Sequence, residues 1–359
     1  MSNMTPLPDE QSELENAIEL KEVVGLSQGQ VVARRFFRHK AALTALIVFA
    51  GIVILATTSI GWGPIPGWWK WNHTQTASVE IPGGKPTLSL WGENGFRIGN
   101  YPFGQDTLGR DNFARVMKGI QTSLKVMVVL SLVSTAIGIL IGAVAGYFRG
   151  WLDSFLMRFT ELFIVVPTLI IGAVLGQMFG GATPILLAVA LGVISWTGLA
   201  RLVRAEFLAL REQEFVDAAR VAGASHLRII FKHMLPNTIA VIIVNTTLMM
   251  SAAILLETSL SYLGFGIRQP DISLGLLISD YQSAFATRPF LFWWPGLFIV
   301  LIALCVNFIG DGLRDAFDPR QRRVPTVRAM RKAELKMQRL AMGLGPSVVS
   351  KDPTDPDQA

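Results

Sequence analysis

The sequence predicts an all-α polytopic membrane protein with six transmembrane helices, and three observations carry that prediction. Of 359 residues, 51% are hydrophobic and only 16% charged, where an ordinary soluble domain carries roughly a quarter charged residues. The apolar residues gather into runs long enough to cross hydrocarbon, which takes about 20 residues at about 1.5 Å of rise each. The Lys and Arg clusters lie beside those runs, where basic residues fix orientation, and they place both termini on the cytoplasmic side. A β-barrel would instead show alternating segments of about ten residues, and the chain has none.

The net charge of +6 and the isoelectric point near 9.6 do not point to nucleic acid, because the cations are distributed as membrane-flanking clusters. Cys305 is the single cysteine, so no disulfide framework or cysteine metal site forms within one chain. Residues 1–40 read as a cytoplasmic arm, acidic at first (Asp9, Glu10, Glu13, Glu15) with a short helix over Leu14–Val24. The arm ends in Arg34, Arg35, Arg38 and Lys40 and carries no cleavable signal.

Residues 41–60 form the first span, and it exits into Gly61-Trp62-Gly63-Pro64-Ile65-Pro66-Gly67-Trp68-Trp69. Pro and Gly end the helix there, and the tryptophans suit a membrane interface. Residues 61–120 are an extracytoplasmic loop of turns and short strands. Residues 121–312 hold the other five spans. Lys125 and Arg149 bracket 23 uncharged residues, with Gly138, Gly142 and Gly146 four apart, a small-residue ridge for close helix packing. The third span covers Phe155–Phe179, with Glu161 near one end and Pro167 inside it. An outer turn at Gly180–Pro184 leads to the fourth span, Ile185–Val203.

A polar loop at 204–236 separates the fourth span from the fifth, Thr238–Leu256. In the loop, Phe207, Leu210, Phe215, Ala218, Ala219 and Ala222 recur at helical spacing. Gly223 breaks that run, Ser225 caps a second short helix, Pro236 stops it, and Asn237 caps the span that follows. Residues 258–290 form a second outer loop whose apolar pieces are too short to cross. Pro289–Gly310, 22 uncharged residues, is the sixth span. Residues 313–359 form a basic cytoplasmic tail with nine Lys or Arg between Arg314 and Arg339.

On composition alone the loop at 204–236 reads as a helix lying on the headgroups. Its residues resemble something more specific. Glu214-x-x-x-Ala218-Ala219-x-x-x-Gly223, running into Ile230 and Leu235-Pro236, is similar to the Glu-Ala-Ala loop of ATP-binding cassette (ABC) importer permeases. Three further segments resemble the C-type permease subunit of the dipeptide/oligopeptide/nickel importer family. They are Gly104-Gln105-Asp106-Thr107-Leu108-Gly109-Arg110-Asp111 leading to Gly119 and Ser123-Leu124, then Glu257-Thr258-Ser259-Leu260-Ser261-Tyr262-Leu263-Gly264-Phe265-Gly266, then Asn307-Phe308-Ile309-Gly310-Asp311-Gly312-Leu313-Arg314-Asp315-Ala316-Phe317-Asp318-Pro319-Arg320. The resemblance covers about residues 30–323. It departs at Tyr101-Pro102-Phe103-Gly104-Gln105-Asp106, where the family usually has His-Pro-Leu-Gly-Thr-Asp, and in an enlarged first outer loop at 61–100.

The resemblance implies the type I ABC importer permease fold and a non-catalytic half-channel in the plasma or inner membrane of a prokaryote. The expected partners are a second permease subunit, two ATPase subunits, an extracytoplasmic substrate-binding protein and membrane lipid, with no nucleic acid. ATP and Mg are expected on the ATPases, with no cofactor or metal on this chain. The ATPase-coupling residues are expected to be Glu214, Phe215, Asp217, Ala218, Ala219, Gly223, Ala224, Ser225, Leu235 and Pro236. Peptides are the expected substrate, with nickel complexes or oligosaccharides as the alternatives.

Readings from other classes fare worse. A self-sufficient secondary transporter or channel calls for paired carboxylates at mid-depth or inverted repeats, and neither is present. No Gly-x-x-x-x-Gly-Lys-Ser/Thr loop occurs, and Gly83-Gly84-Lys85-Pro86-Thr87 is only a near miss. His226 and His233, seven apart, read as solvated or lipid-facing. Glu161 and Glu257 flank apolar spans and read first as anchors between neighbouring helices, with gating or proton relay as the alternative. Asp311, Arg314, Asp315, Asp318 and Arg320 read as a salt-bridged turn. The tryptophans at 62, 68, 69, 71 and 91 read as an interfacial belt, with a docking or stacking surface as the alternative.

Overall fold

A computed structural model of the chain describes residues 28–89, 97–178 and 183–317. The expected helix at Leu14–Val24, Trp91, most of the Gly180–Pro184 turn and the tail with Asp318 and Arg320 lie outside the described residues.

Amphipathic helix α1 (Gln28–Arg38) was not foreseen in the N-terminal arm; it lays Phe36 against the last helix of the fold. His39 then caps α2 (Lys40–Ser59), its Nδ1 accepting from Ala42 N at 3.1 Å. With Nδ1 used as acceptor, Nε2 faces Asp315 Oδ2 at 3.3 Å. Among the described residues, the loop after α2 carries a two-residue antiparallel pair, β1 (Leu88–Ser89) and β2 (Arg97–Ile98), and a 3-10 turn at Pro82–Gly84.

Helix α3 (Asn112–Phe148) begins inside the segment read as loop and runs for 37 residues, about 55 Å. Asp111 starts it by accepting from the N–H groups of Phe113 and Ala114. At the far end Arg149 (φ 58) and Gly150 (φ 66) turn the chain back sharply. The third expected span is not one helix. α4 (Gly150–Val165) and α5 (Thr168–Met178) meet at a 79° bend, because Pro167 has no N–H and its ring clashes with the preceding turn. The fourth is also bent: α6 (Pro184–Gly192) and α7 (Thr197–Arg211) meet at 43°.

α8 (Glu214–Val221) follows, then α9 (His226–Tyr262). Here Pro236 does not stop a helix as expected. Residues Ile229–Met234 widen into a π-turn, with Leu235 N bonding Ile230 O, and α9 passes through without a break. The wider turn takes the carbonyls out of register with the proline, so its missing donor leaves no gap. Asn237 is consequently not a cap; its side-chain amide donates to His233 O at 2.6 Å. The second loop holds a short helix, α10 (Leu274–Tyr281), and α11 (Pro289–Phe317) completes the fold. Asp311, Arg314 and Asp315 therefore lie on a helix and not in a turn.

Among the described residues, α2, α3, α9 and α11 are each long and apolar enough to cross a membrane, and the two bent pairs raise the count to six if each is one span. α3 is the axis: α2, α6, α7 and α9 all pack on it, and α11 closes against α2 and α9. One apolar cluster surrounds the Asn112 end of α3 (Met117, Ile120, Leu124, Leu260, Leu274, Ile302), and a second surrounds the Phe148 end (Val203, Phe207, Val216, Ile229, Met234). The glycine ridge works as expected. Cβ atoms added at Gly138, Gly142 and Gly146 would stand 3.0, 2.8 and 2.6 Å from the Cβ atoms of Leu199, Val203 and Phe207 on α7.

Candidate functional site

The loop between the fourth and fifth spans folds as two short turns of helix resting on the second apolar cluster. Within α8 only Val216 is fully buried, among Phe207, Ile229, Ile230 and Met234. One fully buried residue in eight leaves most of the helix surface open. Glu214, Phe215, Asp217, Ala218, Gly223, Ser225 and Pro236 are exposed, while Ala219, Ala224 and Leu235 are half-buried against the cluster. Gly223 (φ 77) ends α8 in the left-handed region, and no atom lies within 4 Å of where its Cβ would stand. Ser225 then starts α9, its Oγ accepting from Arg228 N. Asp217 pairs with Arg220 at 2.8 Å along the helix.

The free face is apolar where it protrudes. Val221 is 91% exposed, and Phe215, Leu227 and Phe231 are exposed with it. Small residues, a glycine without neighbours and protruding apolar side chains form a surface that another protein's backbone could approach closely.

This surface is tied to the corner between α3 and α4, and apart from Arg149 and His226 the residues that tie it were not singled out in the sequence. Arg204 on α7 makes a bidentate pair with Asp153 on α4, at 2.5 and 2.7 Å. Arg211 donates to Tyr147 O at 2.6 Å, and Arg149 meets Glu212 at 2.5 Å. Tyr147 Oη and His226 Nδ1 are 2.8 Å apart; His226 is exposed, as expected, and its ring makes this contact as well. The visible signal was that Arg149 and Arg204 adjoin span ends, where charges also serve topology and so attract no separate reading.

At the other end of α3, two of the motif segments meet. Glu257 is fully buried. Its Oε2 accepts from Ser123 Oγ at 2.9 Å and its Oε1 from Ser261 Oγ at 2.7 Å. Those hydroxyls accept in turn from Leu274 N (3.2 Å) and Ile267 N (3.1 Å). One carboxylate thus joins α3, α9 and the loop before α10, the arrangement that makes a buried charge tolerable. Glu161 differs. It is exposed and pairs with Arg158 on its own helix at 3.1 Å.

The Gly104–Asp111 segment builds the cap of α3. Asp106 accepts from Leu108 N and Arg110 N and pairs with Arg110 Nε at 2.7 Å. Gln105 accepts from Glu80 N and donates to Ser78 O and Gly109 O. Trp69 Nε1 donates to Asp111 Oδ2 at 2.7 Å. Burial pushes the Asp111 carboxyl up to about 6, against the bonds from Trp69, Ala114 and Phe113 and the nearby Lys70, which favour the ion. Of the other tryptophans, Trp71 stacks on Tyr101 and Trp68 stands exposed.

Residues 138–323, from the glycine ridge through the loop around α8 to the end of α11 and beyond, match the model of the binding-protein-dependent transport system inner membrane component, and residues 27–70 match the N-terminal transmembrane domain of oligopeptide transport permease C. The chain belongs to this permease family. It is similar to the oligopeptide transport system permease protein OppC of Haemophilus influenzae, 36% identical over 85% of this chain and 93% of the relative. The OppC of Escherichia coli K12 is 37% identical over 86% of this chain and 97% of that protein. The OppC of Mycobacterium tuberculosis H37Rv is 37% identical over 82% and 96%. The all-α, multi-pass membrane fold expected from the sequence is thus that of a permease, with β1 and β2 as its only described strands.

Proposed function

We propose that the permease is one half of an ATP-driven importer for di- or oligopeptides in a prokaryotic inner membrane. The observation that carries this reading is the surface around α8: helical, exposed, partly apolar, and braced to α3, α4, α7 and α9. A docked ATPase would push on that face, and the Arg204–Asp153, Arg211–Tyr147, Arg149–Glu212 and Tyr147–His226 contacts would pass the motion to the spans. A second permease subunit completes the pathway, two ATPase subunits hold ATP and Mg, and an extracytoplasmic binding protein delivers the substrate. The names of the relatives support peptides as that substrate.

The same reading places the end with α8, α1 and the α11 C-terminus in the cytoplasm. Arg34, Arg35, Arg38 and Lys40 lie at that end, as basic residues do on the cytoplasmic side.

The test is Gly223→Asp with Gly223→Asn beside it. Both residues tolerate the left-handed backbone better than other side chains, and nothing crowds the position, so the fold survives in either. Gly223→Asp should insert normally yet lose ATP-dependent peptide uptake by at least tenfold, together with ATPase co-purification. Normal uptake by the Asp variant would remove α8 from the coupling role.

A further inference from the structure

α4 and α5 present a combination that hydrocarbon does not accept. On α4 only Thr160 is fully buried, and Phe155, Phe159, Leu162 and Val165 stand exposed along an open groove of about 390 Å³. Within that apolar groove lie Arg158, 85% exposed, and Glu161, 58% exposed. Five residues past Glu161, the helix breaks at Val166-Pro167, and residues 164–170 are exposed as well. An exposed ion pair and an open backbone break thus share one face of one bent span. Lipid tails solvate neither: a charged side chain at depth costs several kcal/mol or more, and non-helical backbone at membrane depth occurs where protein or water covers it.

The depth of the pair follows from α3. Its 23 uncharged residues end at Phe148, and α4 starts back from Gly150. Arg158 and Glu161 therefore lie about 12 and 16 Å up α4, near the middle of a core about 30 Å thick if the helix runs near the normal.

From the proposed peptide-importer role, on which this step rests, we infer that the α4–α5 face lines the water-filled pathway and that Arg158 and Glu161 bind the charged termini of the passing peptide. Arg158 takes the terminal carboxylate through its planar pair of donors, and Glu161 takes the terminal ammonium. With the pathway empty, the two residues satisfy each other at 3.1 Å, which keeps either charge from standing alone. A zwitterionic substrate replaces that one pair with two, so binding leaves no charge unpaired. The aromatic walls at Phe155 and Phe159 leave room for side chains of any type, as a carrier of varied peptides requires.

The experiment uses the reconstituted importer with its permease partner, ATPases and binding protein. Cys305→Ala first removes the single cysteine; then Arg158→Cys, Glu161→Cys and, as a lipid-face control, Ile47→Cys (63% exposed on α2) are introduced singly. Positions 158 and 161 should react with a membrane-impermeant cationic thiol reagent, and a saturating tripeptide should slow that reaction at least fivefold, while position 47 stays unreactive. In uptake, Arg158→Gln should raise the half-saturation for a free tripeptide about tenfold and leave its C-terminal amide unaffected. Glu161→Gln should do the converse with the N-acetylated peptide. Unreactive cysteines, reaction indifferent to peptide, or equal losses for free and blocked peptides would each overturn the inference. An unmodified importer that takes up no peptide while 158 and 161 still react would instead strike the peptide reading and leave the lining assignment standing.

Discussion

Asp111 closes the α3 N-terminus with a carboxylate that is costly to keep ionised. Its folded value of about 6 lies above the ordinary 3.8, so its contribution to stability is fully present below about pH 3.8 and is lost as pH rises through about 6. Asp111→Asn keeps an oxygen for the cap and for Trp69 but removes the buried charge. The variant should therefore match or exceed the parent at pH 7.5, by up to about 2–3 kcal/mol, and keep only about half of that advantage at pH 5, the rest going as pH falls towards about 3.8. Thermal unfolding midpoints at the two pH values check this, and a variant less stable than the parent at pH 7.5 contradicts the assignment. The sequence made Asp111 visible as part of a motif but gave no hint of the Trp69 bond, because 42 residues of loop separate the partners. Glu257 was visible in the same way, as a carboxylate beside an apolar span. Its three-element hydrogen-bonding role depends on Ser123, 134 residues away, and no local pattern announces that pairing.

At the scale of elements, the glycine ridge was legible because close helix packing depends on side-chain size alone, and size is written in the sequence. Gly142→Ala should lower stability measurably, and Gly142→Leu should prevent α3 and α7 from meeting, since even the first carbon would stand 2.8 Å from Val203 Cβ. Overpacking of this kind costs at least about 1–3 kcal/mol. Melting curves of purified protein should rank parent, Ala and Leu in that order, and equal melting of all three would remove the ridge from the packing. The prolines were less legible. Pro167 breaks its span and Pro236 does not, although both sit in helix-forming sequence. The difference is the π-turn at Ile229–Met234, which accommodates Pro236, whereas the chain after Val165 turns away by 79°. Local propensity does not distinguish a proline that a helix absorbs from one that ends it.

For the whole molecule, the alternation of spans was legible because every basic cluster falls beside an apolar run. The two bends were not, since hydropathy records length and polarity but not direction. The contacts bring α1, the start of α2, the loop around α8 and the end of α11 to one end, and Asp111 with the loops after α2 and after α9 to the other. In the Cys305→Ala chain, Thr76→Cys should react with an impermeant thiol reagent on intact cells, and Arg38→Cys only after permeabilisation. Reaction of Arg38→Cys on intact cells would invert the proposed orientation.

α3 deserves a mechanical reading of its own. It is one unbroken shaft of about 55 Å with the braced corner at its foot and the Asp111 cap at its head. Such a shaft cannot tilt at the foot without sweeping its head: five degrees of rocking displaces the cap by roughly 5 Å. The Trp69, Gln105 and Asp106 turns around that head would ride with it. A nucleotide-timed change in Trp69 emission, read from the side opposite the nucleotide, is the signature such leverage would leave.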